Sequence, residues 1–167
     1  MKKSKTGKIT LLGLCTSLAL ILAYVEVLMP PLYAAVPGIK LGLPNIVIVF
    51  VLYSFGLPSA AAVSLVRMIL VSILFGNVMA LAYSSAGALL SLAVMALLKK
   101  TDLFSVTGVS VVGGVLHNVG QILMAMYLFK TVQLGYYLIV LSVTGTISGM
   151  LIGLCGAVAI KRIKVES

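Results

Sequence analysis

Charged residues are scarce in this chain of 167 residues. They make up 9% of the sequence, whereas 62% of the residues are hydrophobic and the mean hydropathy is +1.25. A water-soluble domain keeps roughly a quarter of its residues charged, so this chain has too little polar surface to face water on all sides. We therefore predict an integral membrane protein with a single transmembrane domain over residues 1–167, which leaves no room for a separate soluble catalytic domain.

Acidic residues are scarcer still, and their scarcity argues against several kinds of chemistry. The chain has three, Glu26, Asp102 and Glu166, and they provide no paired carboxylates to hold Mg²⁺. Its one histidine and two cysteines lack the spacing of a metal or redox site. No Walker A motif is present for ATP hydrolysis. We therefore expect no catalytic residue, no metal and no cofactor, and an enzyme is the least supported class of function.

Basic residues are more numerous, and their positions indicate a membrane. The net charge of +9 would suggest nucleic acid as the partner of a soluble protein. Here the lysines and arginines cluster beside apolar runs, in two predicted cytoplasmic tails (1–8 and 161–167) and at Lys99-Lys100. This is the positive-inside pattern, which also suits anionic lipid headgroups. We predict the lipid bilayer as the partner, no nucleic acid, and a multi-pass protein of the bacterial cytoplasmic membrane.

Breaks at proline, glycine and charged residues divide the apolar sequence into six candidate spans. They are Ile9–Met29, Leu41–Phe55, Pro58–Phe75, Val78–Leu98, Ser105–Phe129 and Leu134–Ile160. The first apolar run exceeds the roughly 15 residues of a signal-peptide core, so we interpret it as a retained helix. The second is short, and we expect it to be tilted little or partly re-entrant. The predicted fold is an all-α bundle of six transmembrane helices with both termini in the cytoplasm.

Glycines at a fixed interval predict close helix packing in the last span. Gly145, Gly149 and Gly153 recur at every fourth position. Small residues at this interval lie on one face of a helix and allow the backbone of a neighbouring helix to approach closely. We expect this face to pack within the bundle.

Polar side chains lie within the spans, where lipid or an apolar core is expected. Such residues are costly unless they face protein or water, so each is a candidate functional residue. The predicted substrate-binding residues are Lys40, Asn45, Arg67, Asn77, Ser84, His117, Asn118 and Gln121, with Glu26 as their charge partner. The spacing of His117, Asn118 and Gln121 allows the three to share one wide helix face.

These polar residues have two interpretations. They line a polar cavity in the outer half of the bundle, where Lys40 and Arg67 outweigh Glu26 and favour an anionic ligand such as a phosphate or carboxylate. Alternatively, Glu26 neutralises one of the two cations, while His117 and the neighbouring amides join helices by hydrogen bonds. The sequence leaves both interpretations open.

Four stretches together resemble one protein family over nearly the whole chain. They are PGIKLGLPNI (37–46), SLVRMIL (64–70), YSSAGALLSLAVM (83–95) and GGVLHNVGQI (113–122). They resemble the Gx transporter family, which is also described as heptaprenyl diphosphate synthase component I. The K-L-G-L-x-N-I and H-N-x-G-Q strings are the specific parts of the resemblance.

The resemblance implies a role in transport. Families of this kind resemble the substrate-binding S components of energy-coupling factor transporters, which are small six-helix proteins that capture vitamins. Such a component docks through small residues of helix one onto a transmembrane scaffold driven by two ATPases. By resemblance, Ala19 and Ala23 would form the docking face, and residues Pro30–Lys40 would belong to an outer lid.

Two functions therefore follow from the resemblance and the residues together. The first is uptake of a small anionic or vitamin-like molecule, energised by a scaffold and ATPase partners. The second is a non-catalytic membrane subunit of a prenyl-quinone, isoprenoid or flavin-linked electron-transfer system. Prenyl diphosphate synthases resemble one another in aspartate-rich D-D-x-x-D motifs, whereas this chain has a single aspartate, Asp102. An accessory role needs no such motif.

Overall fold

A computed structural model of the chain describes residues 5–28, 42–75 and 78–163, and the regular structure in these ranges is entirely helical. The helices are α1 (Lys5–Leu28), α2 (Asn45–Phe55), α3 (Leu57–Phe75), α4 (Val78–Thr101), α5 (Val106–Phe129) and α6 (Tyr137–Arg162), with a short 3₁₀ helix at Val132–Tyr136. The predicted all-α class and the order of six helices are confirmed. Helix α1 begins at Lys5, inside the predicted tail 1–8.

Helix α2 is much shorter than the other helices. Five helices of the described chain are long and apolar enough to cross a membrane, which fits a multi-pass membrane protein. Helix α2 has 11 residues and therefore rises only about 16 Å, about half of the roughly 30 Å of bilayer hydrocarbon. The predicted second span, Leu41–Phe55, is thus too long, because Pro44 occupies the N-cap position and the helix begins at Asn45.

The turn between α2 and α3 is made by Gly56. Its φ of 85° is a left-handed conformation that favours glycine, and its N–H donates to the carbonyl of Leu52 at 3.2 Å to close the last turn of α2. Helix α3 then begins at Leu57, so Pro58 occupies its second position rather than the predicted first. The result is a tight pair of consecutive helices.

Helices α2 to α6 follow one another around a closed ring, and α1 packs on its outside. Neighbouring pairs are α2 with α3, α3 with α4, α4 with α5, α5 with α6, and α6 with α2, while α1 packs on α2 and α3. The six residues from Val47 to Leu52 are all buried. A helix that is apolar on every side belongs inside a bundle, and α2 accordingly supplies the middle of the core.

Helices α5 and α6 approach each other through glycines. A Cβ atom added to Gly149 would lie 2.8 Å from the carbonyl oxygen of Ser110, and one added to Gly114 would lie 2.5 Å from the carbonyl oxygen of Gly145. Only hydrogen fits at these positions. The close-packing face predicted at Gly145, Gly149 and Gly153 is confirmed.

Basic residues gather at one end of the bundle, which we call the basic end. Lys99 and Lys100 lie in the last turn of α4, and Lys161 and Arg162 lie in the last turn of α6. Large apolar side chains cover much of the outer surface, including a stripe along α1 at Leu14, Leu18, Ile21, Val25 and Leu28. Such a surface suits contact with lipid. That the basic end faces the cytoplasm stays a prediction.

Candidate functional site

Arg67 lies inside the bundle on α3. The buried residues of this helix are Ser59, Ala60, Val63, Ser64, Arg67 and Met68. Their spacing of one and four residues defines a single helix face, so the fold directs the arginine inwards. Its side chain is 8% exposed, and its Nε atom has no hydrogen-bond partner among the described residues. A buried guanidinium group with an unused donor is costly to the fold.

Glu26 provides the opposite charge from α1. Its side chain is 9% exposed, and its carboxylate interacts electrostatically with the guanidinium group of Arg67. One carboxylate oxygen also accepts a hydrogen bond from the backbone N–H of Gly42. The hydrogen bond therefore joins α1 to the segment that leads into α2, and the charge of the carboxylate acts on Arg67 of α3.

Gly42 and Asn45 form the entrance to α2. Gly42 has a φ of 78°, which suits glycine, and its carbonyl accepts a hydrogen bond of 2.8 Å from the N–H of Asn45. The amide of the Asn45 side chain lies 3.0 Å from the position of a Cβ on Gly42. The carboxylate of Glu26 thus lies beside the N-terminal end of α2, where the helix dipole is positive.

His117 and Gln121 lie where α5 meets α4. A Cβ on Gly87 would lie 3.2 Å from Nδ1 of His117 and 2.9 Å from Cγ of Gln121. The missing side chain of Gly87 therefore makes room for both residues. Both side chains therefore lie at the contact between α4 and α5.

Asn118 lies on a different side of α5. Its side-chain amide donates a hydrogen bond of 2.8 Å to the carbonyl oxygen of Leu141 on α6. The prediction that Asn118 shares one face with His117 and Gln121 is therefore wrong. Helix α5 packs between α4 and α6, and consecutive residues, about 100° apart around the helix, face different neighbours.

The other predicted site residues are distributed as follows. Ser84 is partly buried on α4, one turn before the Gly87 contact. Lys40 and Asn77 lie outside the described residues, as does the predicted lid Pro30–Lys40. The structure therefore places Glu26 beside the segment that leads into Asn45 and α2, it buries Arg67 on the neighbouring α3, and it places His117 and Gln121 where α5 meets α4. We call these five residues the polar cluster.

Ala19 and Ala23 are not on the surface. Their exposed fractions are 0% and 4%, because the face of α1 that carries them packs on α2 and α3. The docking face implied by the resemblance is therefore not accessible at this pair in the structure. The exposed face of α1 is instead the stripe of large apolar residues described above.

Sequence reasoning missed the roles of Gly42, Gly87 and Lys99. Gly42 lies in the K-L-G-L-x-N-I string, which marked the segment without indicating its backbone contact with Glu26. Lys99 donates to the carbonyl oxygen of Leu52 at 2.8 Å. Nothing in the sequence indicates that Lys99 makes this contact while its neighbour Lys100 is exposed.

The polar cluster combines a guanidinium group, an imidazole and two amides with a single carboxylate. The guanidinium, imidazole and amide groups are types that can donate hydrogen bonds to an oxyanion, whereas the carboxylate only accepts. No group of three or more histidine, cysteine, aspartate or glutamate side chains that suits a metal ion occurs within the described ranges.

Comparison with known proteins assigns a family. The family model described as heptaprenyl diphosphate synthase component I matches residues 15–159. The chain belongs to this family. No curated protein and no solved structure matches it. The match to heptaprenyl diphosphate synthase component I runs from the middle of α1 almost to the end of α6 and includes the whole polar cluster. It confirms the family expected from the sequence, whereas the likeness to S components stays a prediction.

Proposed function

We propose that this chain is a non-catalytic membrane subunit of a heptaprenyl diphosphate synthase system. The observation that carries the proposal is the family match over residues 15–159. The family name describes one component of a synthase, and this component is built from apolar helices. A membrane subunit suits the reaction, because the product combines a charged diphosphate with a long prenyl chain that partitions into lipid.

The distribution of carboxylates supports a non-catalytic role. Prenyl transfer from an allylic diphosphate releases diphosphate and needs Mg²⁺, and Mg²⁺ needs oxygen ligands, chiefly carboxylates. The chain has three acidic residues in all. Glu26 lies in the polar cluster, Asp102 is exposed after the end of α4, and Glu166 lies outside the described residues. We therefore assign the catalytic step to a partner subunit that carries aspartate-rich motifs.

Co-purification tests this function directly. The tagged full-length chain is expressed with the prenyl diphosphate synthase of the same host, extracted in mild detergent, and analysed by size-exclusion chromatography and native mass spectrometry. We expect a defined complex and a larger membrane-bound fraction of the synthase. An unrelated multi-pass protein with the same tag is the control. A synthase that stays soluble and monodisperse beside this chain would contradict the proposal.

Uptake of a small anion is the second candidate function. The buried guanidinium group of Arg67, whose Nε has no partner among the described residues, favours it because such a group suits an anionic ligand. Accumulation of a labelled anion in cells that express the chain, dependent on scaffold and ATPase partners, would support uptake. Cells with and without the chain that take up the anion equally would exclude it.

A further inference from the structure

We propose that Arg67 and the N-terminal end of α2 form a binding site for a phosphate or diphosphate group inside the bundle. In this structure the carboxylate of Glu26 supplies the negative charge at that place. Two independent features meet there: the positive end of a half-length helix and a buried guanidinium group with an unused donor.

The first feature is the depth at which α2 begins. Its last turn lies at the basic end, where Lys99 contacts Leu52. A helix of 11 residues rises about 16 Å from there, so its N-terminal end lies near the middle of a hydrocarbon layer about 30 Å thick. Helices that end inside a membrane direct this positive end at anionic ligands. Beside this end, three residues before the helix begins, the backbone N–H of Gly42 already donates to an oxyanion, the carboxylate of Glu26.

The second feature is Arg67. Its planar guanidinium group offers five donors in a fixed fork, a geometry that matches phosphate and carboxylate oxygens. The side chain is more than nine-tenths buried, yet Nε donates to nothing within the described ranges. Asn45 and Arg67 lie eleven residues before and eleven residues after the turn at Gly56, and α2 packs on α3, so the two residues lie at a similar depth in the bundle. The carboxylate of Glu26 accepts from Gly42, and its charge also acts on Arg67. A ligand oxyanion that displaces this carboxylate would therefore meet both groups.

A phosphate or diphosphate suits this site better than a second carboxylate. It carries more charge than Glu26 and offers three or more oxygens, so it can accept from the backbone at Gly42 and from the fork of Arg67 together. The proposal of a phosphate site is independent of the proposed function. The identification of the ligand as the headgroup of a prenyl diphosphate rests on that function.

Binding measurements on the purified full-length chain in neutral nanodiscs test the site. The probes are inorganic diphosphate, farnesyl diphosphate and phosphatidic acid, with affinities from isothermal titration and native mass spectrometry. Arg67→Gln should lower the affinity at least about tenfold, and Arg67→Lys should lower it less, because it keeps the charge without the fork. Glu26→Gln should raise the affinity several-fold, because the competing carboxylate is gone. Arg162→Gln, which alters an exposed arginine at the basic end, should leave the affinities for inorganic diphosphate and farnesyl diphosphate unchanged.

The three probes separate the sources of the phosphate group. Binding of farnesyl diphosphate alone would indicate a prenyl ligand, binding of inorganic diphosphate as well would indicate a soluble one, and preference for phosphatidic acid would indicate a lipid headgroup. No binding of any probe at about 1 mM, or unchanged affinity in both Arg67→Gln and Glu26→Gln, would overturn the proposal. If Arg67→Gln does not fold, the result depends on Glu26→Gln: tighter binding supports the site, and equal or weaker binding overturns it. Co-purification with a synthase is measured in a separate experiment. The phosphate site can therefore fail while the complex with the synthase is found, and the complex can fail while the site is found.

Discussion

The ammonium group of Lys99, in the last turn of α4, donates a hydrogen bond of 2.8 Å to the carbonyl oxygen of Leu52, in the last turn of α2. The same group lies 5.1 Å from the centre of the Tyr53 ring. The final carbonyls of a helix carry the negative end of its dipole. The carbonyl of Leu52 accepts from the lysine of a neighbouring helix as well as from the N–H of Gly56, so Lys99 caps the C-terminal end of α2.

Removal of this cap should destabilise the protein. We expect Lys99→Met to lower the free energy of unfolding by about 1 to 2 kcal/mol, because a charged hydrogen bond and a favourable dipole interaction are both lost. The neighbouring Lys100 is exposed, so Lys100→Met is a matched control with little expected effect. Denaturant titration of both variants in detergent measures the difference, and equal stabilities would contradict the capping role.

Closing the gap between α5 and α6 should be more harmful. Gly149→Ala places a methyl group 2.8 Å from the carbonyl oxygen of Ser110 and 2.8 Å from Cα of Val111, both backbone atoms. Backbone cannot give way as a flexible side chain does, so we expect a loss of about 1 to 3 kcal/mol. Gly13→Ala is the control, since nothing lies within 4 Å of its Cβ position. Thermal unfolding followed by circular dichroism should separate the two, and similar midpoints would contradict tight packing.

The glycine face was predictable because its signal is local. Glycines at every fourth position lie on one face of a helix. Because they have no side chains, the backbone of a neighbouring helix can approach that face closely. The length of α2 was only partly predictable. The apolar run that begins at Leu41 gives no indication that Pro44 occupies the N-cap position of α2. The other end of α2 is capped by Lys99, which lies 47 positions after Leu52 in the sequence.

The rotation of helices about their axes was not predictable. In a membrane both lipid and protein core are apolar, so hydrophobicity does not distinguish the buried face of α1 at Ala19 and Ala23 from its exposed face at Leu18. The same limit applies to α5. Asn118 faces α6 and His117 faces α4 because of the way these two helices are placed around α5. Contacts between residues far apart in the sequence determine that placement.

Enlarging Ala19 distinguishes packing from docking. Because its exposed fraction is 0%, we expect Ala19→Leu to force α1 away from α2 and α3 at a cost of about 1 to 3 kcal/mol. Ala62→Leu, the same change at an exposed position of α3, should have little effect. The free energy of unfolding is measured for both variants. A fully stable Ala19→Leu variant that has lost binding to a partner protein would instead support the docking role.

Replacement of Asn118 should weaken the bundle while sparing the polar cluster. Its amide donates to Leu141 at 2.8 Å, and that carbonyl also accepts from the hydroxyl of Thr144 at 3.1 Å, so it keeps a partner when the amide is lost. We therefore expect Asn118→Leu to cost about 1 kcal/mol, the usual size of a hydrogen bond between membrane helices. Ser142→Ala, which removes a hydroxyl bonded only within α6, is the control. If Asn118→Leu abolished binding of diphosphate while stability stayed unchanged, the separation of Asn118 from the polar cluster would be wrong, because its amide would then serve the ligand and not α6.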